Sequence, residues 1–307
     1  MTLRIGLPGG GATVDRIIDN AQQAEADGFA SLWFPGAAGI EPLVVLPLIG
    51  RATERIELGT SIVQTYPRHP VLMAQQAAAV GLAIGDASRF TLGVGVSHRP
   101  VIEGVYGLSY DGNARHLREY LTVLSSLLET GGVRFDGDDY RATADLAMRP
   151  DQPVQVIVAA LAPRSLAAAG ELAGGTITWM ANAHAVETLI APTLRAAAAA
   201  AGRPEPRIVV GLPVAVTDDE AAGREAAARQ FTAYGTLPNY RRVLAAGGVS
   251  SPADAAIVGT DDQVGQAVTA LFDAGATDVW AAPFPVGDDR RASRQRTRAL
   301  LRELVDR

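Results

Sequence analysis

The groups in this chain that could move a proton or hold an anion cluster where short apolar runs end. Gly95-Val96-Ser97-His98 closes the run that begins at Phe90. Its small residues let a ligand approach the backbone closely. The imidazole of His98 titrates near neutrality and could take or deliver a proton there. The plainer alternative is a loop histidine that only hydrogen-bonds a ligand or the backbone. A second place is Ala159-Ala160-Leu161-Ala162-Pro163-Arg164-Ser165, which joins an apolar run to the start of a helix. Exposed N–H groups and the helix dipole suit an anion, with Arg164 and Ser165 as side-chain partners. An ordinary helix cap is the competing reading.

Other chemistries are excluded by composition. The chain has no cysteine, which removes thiolate nucleophiles and Cys-ligated metals. All 27 basic residues are arginine, so Schiff-base catalysis and a P-loop lysine are also absent. Of the remaining histidines, His69 precedes Pro70 as a structural or rim residue and His184 begins a helix at the surface. His116, among Arg115, Arg118 and Glu119, is expected on a solvated or ion-paired helix face. No two histidines have metal-ligand spacing with a nearby carboxylate, so no metal is expected. A formal charge of −6 argues against a general nucleic-acid binder. No run approaches a membrane span, and from Met1 the chain passes almost directly into a strand. A cytoplasmic protein acting on a small molecule is the expectation.

These residues need a scaffold that brings strand ends together, and the apolar pattern supplies one. Strands are predicted at Leu3–Leu7, Phe29–Phe34, Arg55–Ile62, Phe90–Gly95, Val154–Ala160, Thr176–Met180, Ile208–Val216 and Asp278–Ala282. Helical patterns alternate with them, opened by Thr13, Pro70 or the capping box Thr260–Gln263. Val96–Gly112 reads as an irregular insertion, Phe135–Tyr140 as a tight turn between extended pieces, and Val186–Ala201 as an alanine-rich helix. Eight strands in alternation across residues 1–307, without a domain linker, predict a single (β/α)8 TIM barrel with insertion segments. An open doubly wound sheet is the alternative, but Gly9-Gly10-Gly11 lacks its Gly-x-Gly-x-x-Gly turn. In a barrel, ligands bind at the carboxyl ends of the strands.

Several segments together resemble the bacterial-luciferase-like superfamily and, within it, the actinobacterial coenzyme F420-dependent oxidoreductases. They are Ala24–Phe34, Ile56–Ile62, Pro70…Gln75, Arg89–Gly95, Ile157–Gly170, Val258-Gly-Thr260 and the continuation Ser97–Asp111. The resemblance implies a deazaflavin at the strand ends and commonly a homodimer. It implies a non-prolyl cis peptide at Ser61-Ile62 that backs the ring, the alternative being a trans strand end. It places the cofactor tail at Gly95, Val96, Ser97, Ala159, Ala160, Pro163, Arg164 and Ser165. Trp179 and Asn182 would line the ring edge, although Trp179 could equally be a core residue. The activity implied is hydride transfer between ring carbon C5 and a stacked substrate, with the proton handled by His98 or a water it holds. Some relatives, the sugar-phosphate dehydrogenases among them, carry an acid/base glutamate at that position and an acidic residue and a histidine after strand two. Here that second region is Phe34-Pro-Gly-Ala-Ala38, with no ionisable group. A less polar substrate with an activated C=C, C=N or C=O bond is therefore expected. Two readings compete: an FMN-dependent monooxygenase, and a non-catalytic flavin- or deazaflavin-binding protein.

Overall fold

A computed structural model describes residues 3–36 and 39–305; Met1, Ala37 and Ala38 lie outside the described residues. The short apolar runs become strands because branched and small side chains suit a ribbon buried on both faces. They are β1 (Ile5–Pro8), β2 (Ser31–Phe34), β3 (Glu57–Thr60), β4 (Phe90–Gly95), β5 (Gln155–Ala159), β6 (Gly175–Trp179), β7 (Arg207–Val216) and β8 (Asp278–Pro283). Each pairs in parallel with the next, and β8 pairs with β1. The sheet therefore closes into the (β/α)8 barrel, and the open-sheet alternative, which needs two free edges, is ruled out.

Helices cover the outside, several started by proline at the first turn, as at Pro42, Pro70, Pro163 and Pro238. Thr260 and Gln263 form the expected capping box. Three details differ from the sequence reading. The insertion after β4 is not wholly irregular, because Arg99–Gly104 forms a short helix. The alanine-rich helix begins earlier, at Ala183, and passes through a π-turn at Val186–Ile190 before Ala191–Ala200. Short strands at Val63–Gln64 and Ile257–Gly259 add to β4 and β7. The turn at Phe135–Tyr140 is the tip of a hairpin, Gly132–Asp136 with Arg141–Asp145.

Inside the barrel, side chains come from alternate residues of each strand, as the pleat requires. The amino-terminal layer is ionic. Arg207 binds Asp278 with both arms of its guanidinium, Nε–Oδ2 at 2.9 Å and Nη2–Oδ1 at 2.6 Å, and reaches Glu57 at 2.8 Å. Arg4 bonds the same two acids. Burial alone would raise the Asp278 carboxyl, but the hydrogen bonds and charge of Arg207, with the charge of Arg4, hold it below the ordinary value. Above this layer Trp33, Ile157, Ile177 and Val209 form a separate inner core, with Ile62, Ala159 and Trp280 packed on top. The indoles fit because glycine faces them: a Cβ on Gly59 would lie 2.3 Å from the Trp33 ring, and one on Gly211 would lie 2.0 Å from Trp280 Nε1. The barrel is thus filled by ion pairs at its amino-terminal end and by indoles and aliphatic side chains above them, and its mouth lies at the carboxyl-terminal end.

Candidate active site

The carboxyl-terminal mouth begins where β3 stops pairing. Thr60 pins the turn by donating its hydroxyl to Gly93 O (2.7 Å) and accepting from Gly93 N (2.8 Å). The next peptide, Ser61-Ile62, is cis, as the resemblance implies. Ile62 O accepts the Gly36 N–H at 3.0 Å, and the Ile62 side chain lies against Gly95 and the inner core. Ser61 Oγ is buried without a hydrogen-bond partner among the described residues. Ser61, Ile62, Gly95 and Ala159 therefore converge on one floor. Ala160 does not join them, since its side chain packs in the core outside the barrel.

Two loops around this floor contain non-glycine residues in the left-handed region, Ser97 at φ 59° and Met180 at φ 65°. Such residues are uncommon and concentrate at functional sites. Tyr110 holds the first loop by donating to Ser97 O at 2.8 Å. Val96 and Ser97 are half-buried there, and His98 follows. The imidazole makes no hydrogen bond among the described residues and faces the Tyr240 ring, with centroids 5.5 Å apart. Burial lowers its pKa below the ordinary 6.5, so His98 is a neutral imidazole at pH 7.

From Tyr240 an aromatic arc crosses the mouth. Tyr240 meets Tyr234 edge-on at 4.9 Å, Tyr234 meets Trp179 at 6.0 Å, and Trp179 stacks on Trp280 at 4.9 Å and 27°. The Trp179 N–H is buried without a partner of good geometry among the described residues, although the Tyr234 hydroxyl lies close enough to temper the rise that burial imposes on its own pKa. Trp179 is therefore both a core and a mouth residue. Asn182 belongs to the scaffold: its Oδ1 caps Ala185 N at 3.0 Å and its Nδ2 donates to Gly247 O at 2.9 Å.

The helix Pro163–Leu172 starts at the end of β5 with alanine, Ala162, at its N-cap, so no side chain caps its first turn. Ser165 turns back to Ala162, with its hydroxyl 2.9 Å from the Ala162 carbonyl. Arg164 is exposed and makes no ion pair among the described residues. Pro163 supplies the first turn without an N–H to satisfy. The geometry leaves an open helix N-terminus beside an unpaired guanidinium.

His116 corrects the sequence reading. It is 6% exposed rather than solvated. Its Nε2 lies 2.8 Å from Thr65 Oγ1, its Nδ1 lies 3.3 Å from the Tyr140 hydroxyl, and its ring stacks on Tyr66 at 3.8 Å and 7°. Burial pushes its pKa down to about 4. The spacing His116, Tyr120, Leu124, Leu128 marks the buried stripe of the helix Asn113–Thr130 and could have revealed this. His69 caps the helix Pro70–Ile84 through Nδ1, and His184 is exposed, both as expected. Residues that the sequence reading did not single out are Gln64, Tyr234, Tyr240 and Trp280. Two surface cavities, of about 290 and 350 Å³, lie away from this floor, one against the outer wall of β7 and one at the amino-terminal ends of β5 and β6.

Comparison with known proteins agrees with this geometry. The sequence matches the family model described as luciferase-like monooxygenase over residues 2–305. It is 31% identical over 286 residues to the F420-dependent hydroxymycolic acid dehydrogenase of Mycobacterium tuberculosis, covering 85% of this chain and 77% of that protein. In fold it is similar to an F420-dependent secondary alcohol dehydrogenase solved with an F420-acetone adduct, with TM-score 0.78, 18% identity, and coverage of 99% of this chain and 98% of that one. It is equally similar to the coenzyme F420 dependent tetrahydromethanopterin reductase of Methanopyrus kandleri, with TM-score 0.78, 22% identity and the same coverage.

Proposed function

This chain belongs to the luciferase-like monooxygenase family, and from that membership we propose that it is a coenzyme F420-dependent oxidoreductase interconverting an apolar alcohol and its carbonyl, or a related activated double bond. The observation that carries the reading is the mouth itself. A half-buried, neutral histidine stands on an aromatic arc above a floor that holds buried polar atoms without a well-aligned partner among the described residues, Ser61 Oγ and Trp179 Nε1 among them. Such atoms call for a ligand with polar edges.

Bound there, the deazaflavin would supply two-electron hydride chemistry at its C5. Ile62, Ala159 and Trp280 would support a planar ring from below. Arg164 and the open helix N-terminus would take the anionic tail. The aromatic arc excludes water and favours a substrate with little polarity, consistent with the described part of the segment after β2, Phe34-Pro35-Gly36, having no ionisable side chain. His98 would handle the proton. As a neutral imidazole it accepts the proton of a substrate hydroxyl in the oxidising direction. In the reducing direction it must first be protonated, which burial opposes.

The resemblance also implies a homodimer. The exposed Val44, Leu48 and Leu72, on two helices whose preceding residues are joined by the Glu41–Arg68 ion pair at 2.9 Å, are the face on which we place the second copy. Sedimentation velocity would register it.

The test is a titration with F420 and with FMN, followed by turnover on apolar secondary alcohols, ketones, enones and imines. Tighter F420 binding with turnover of an alcohol–ketone pair is expected. FMN binding with oxygen consumption would replace this reading with a monooxygenase. Tight F420 binding without turnover on any of these classes would replace it with a carrier.

A further inference from the structure

The strand that follows the bulge carries a side chain with no role so far. Gln64 is 4% exposed, and its Oε1 is buried with no hydrogen-bond partner among the described residues. Across the ladder Gln64 pairs with Gly95, and paired residues project to the same face of a sheet. At Gly95 that face is the interior, since a Cβ there would meet Ala159 Cβ at 3.0 Å and Ile62 Cδ1 at 3.1 Å. Val63, one residue back, packs instead in the core outside the barrel. The Gln64 carboxamide is therefore aimed into the mouth.

It is also held there. Thr65 N donates to Gly95 O at 3.0 Å. His116 bonds the Thr65 hydroxyl and stacks on Tyr66. The backbone on both sides is fixed, so the side chain leaves the strand toward the interior, where its buried Oε1 finds no donor among the described residues. A buried acceptor without a donor destabilises the chain that carries it, unless something else completes it.

A carboxamide presents an acceptor and a donor side by side. Its complement is an N–H flanked by a carbonyl, which is the imide edge of a pyrimidinedione ring. We propose that Gln64 is a ligand-recognition residue that reads this imide edge: Oε1 accepts from the ring N–H, and Nε2 donates to the adjacent ring carbonyl. The proposal rests on the reading of the mouth as a deazaflavin site. Flavins carry the same edge, however, so the two can fail separately.

Gln64→Leu keeps a side chain of roughly similar size and removes both polar atoms. On the full chain, the ligand-free melting midpoint, F420 affinity and substrate KM should be measured together. FMN and FMN methylated at the imide nitrogen are the further probes. The expected result is an unchanged or higher midpoint with F420 binding weakened about tenfold or more. Wild type should also bind the methylated flavin less well than FMN, and Gln64→Leu should bind the two alike. A lower midpoint with unchanged ring affinity would make Gln64 a structural residue and overturn the proposal. A raised KM with unchanged F420 affinity would overturn it too, by moving Gln64 to the substrate. Equal binding of methylated and unmethylated flavin by wild type would do the same. If wild type binds FMN and not F420, the deazaflavin reading falls, and the flavin pair still decides the role of Gln64.

Discussion

Replacing Asp278 by Asn should weaken the barrel from its amino-terminal end. The carboxylate is 1% exposed and balances two arginines, sharing that task with Glu57. Asn keeps the shape and part of the hydrogen bonding but leaves Arg207, whose side chain is 13% exposed, with half its counter-charge. Removing one partner of a buried pair costs 3–5 kcal/mol, and because Glu57 remains and Arg4 is partly solvated, the lower end, about 3 kcal/mol, applies. For a chain of this length the unfolding entropy converts that into a fall in melting midpoint of about 5 °C. Because the folded carboxyl titrates below its unfolded value, its contribution is complete above the unfolded pKa and is lost as pH falls through the folded one. The gap between wild type and variant should therefore stay constant from about pH 5 to 8 and narrow below about pH 4. Differential scanning calorimetry across that range is the assay. A variant melting within about 1 °C of wild type at neutral pH would refute the reasoning, because the ionic layer would then be contributing nothing net.

Other perturbations address the mouth and its support. His98→Gln should lower turnover by about 10²-fold or more and spare F420 affinity; lost affinity with unchanged turnover at saturation would exclude the proton role. The wild-type rate of alcohol oxidation should rise with pH through a midpoint below 6.5 and then level off, following the lowered His98 pKa. Arg164→Ala should weaken F420 binding about tenfold, more at low salt than at high, with substrate KM unmoved, as fluorescence titration would show. His116 is neutral in the fold down to about pH 4 but protonates near 6.5 when unfolded. Stability should thus decline by about 3 kcal/mol as pH falls from 6.5 to 4, and His116→Phe should flatten that part of a urea-denaturation profile.

The barrel was legible in the sequence because each strand is a short apolar run bounded by turn residues, and because the alternation with helices leaves few other closures. The floor was legible for the same reason: Ser61, Ile62, Gly95 and Ala159 stand at strand ends, and ends converge. The direction of Gln64 was not, since it follows from its register with Gly95 across a bulge. Nor was the ionic layer, whose members Arg4, Glu57, Arg207 and Asp278 are brought together only by closure. His116 was misjudged because charged neighbours in sequence outweighed the helical spacing that buries it. Asn182 was at the right strand end, but its carboxamide is spent on the backbone of the fold.

The placement of the indoles has an optical consequence. The chain contains three tryptophans, and all three belong to the barrel: Trp33 in the inner core, Trp280 packed on it, and Trp179 stacked on Trp280. No outer helix contributes an indole. The intrinsic emission of the protein is therefore a signal from the barrel and its mouth alone. A chromophore seated there would draw excitation from every emitter at once. Occupancy could then be followed without a label, and the emission lost on unfolding would date the opening of the barrel rather than the fraying of its shell.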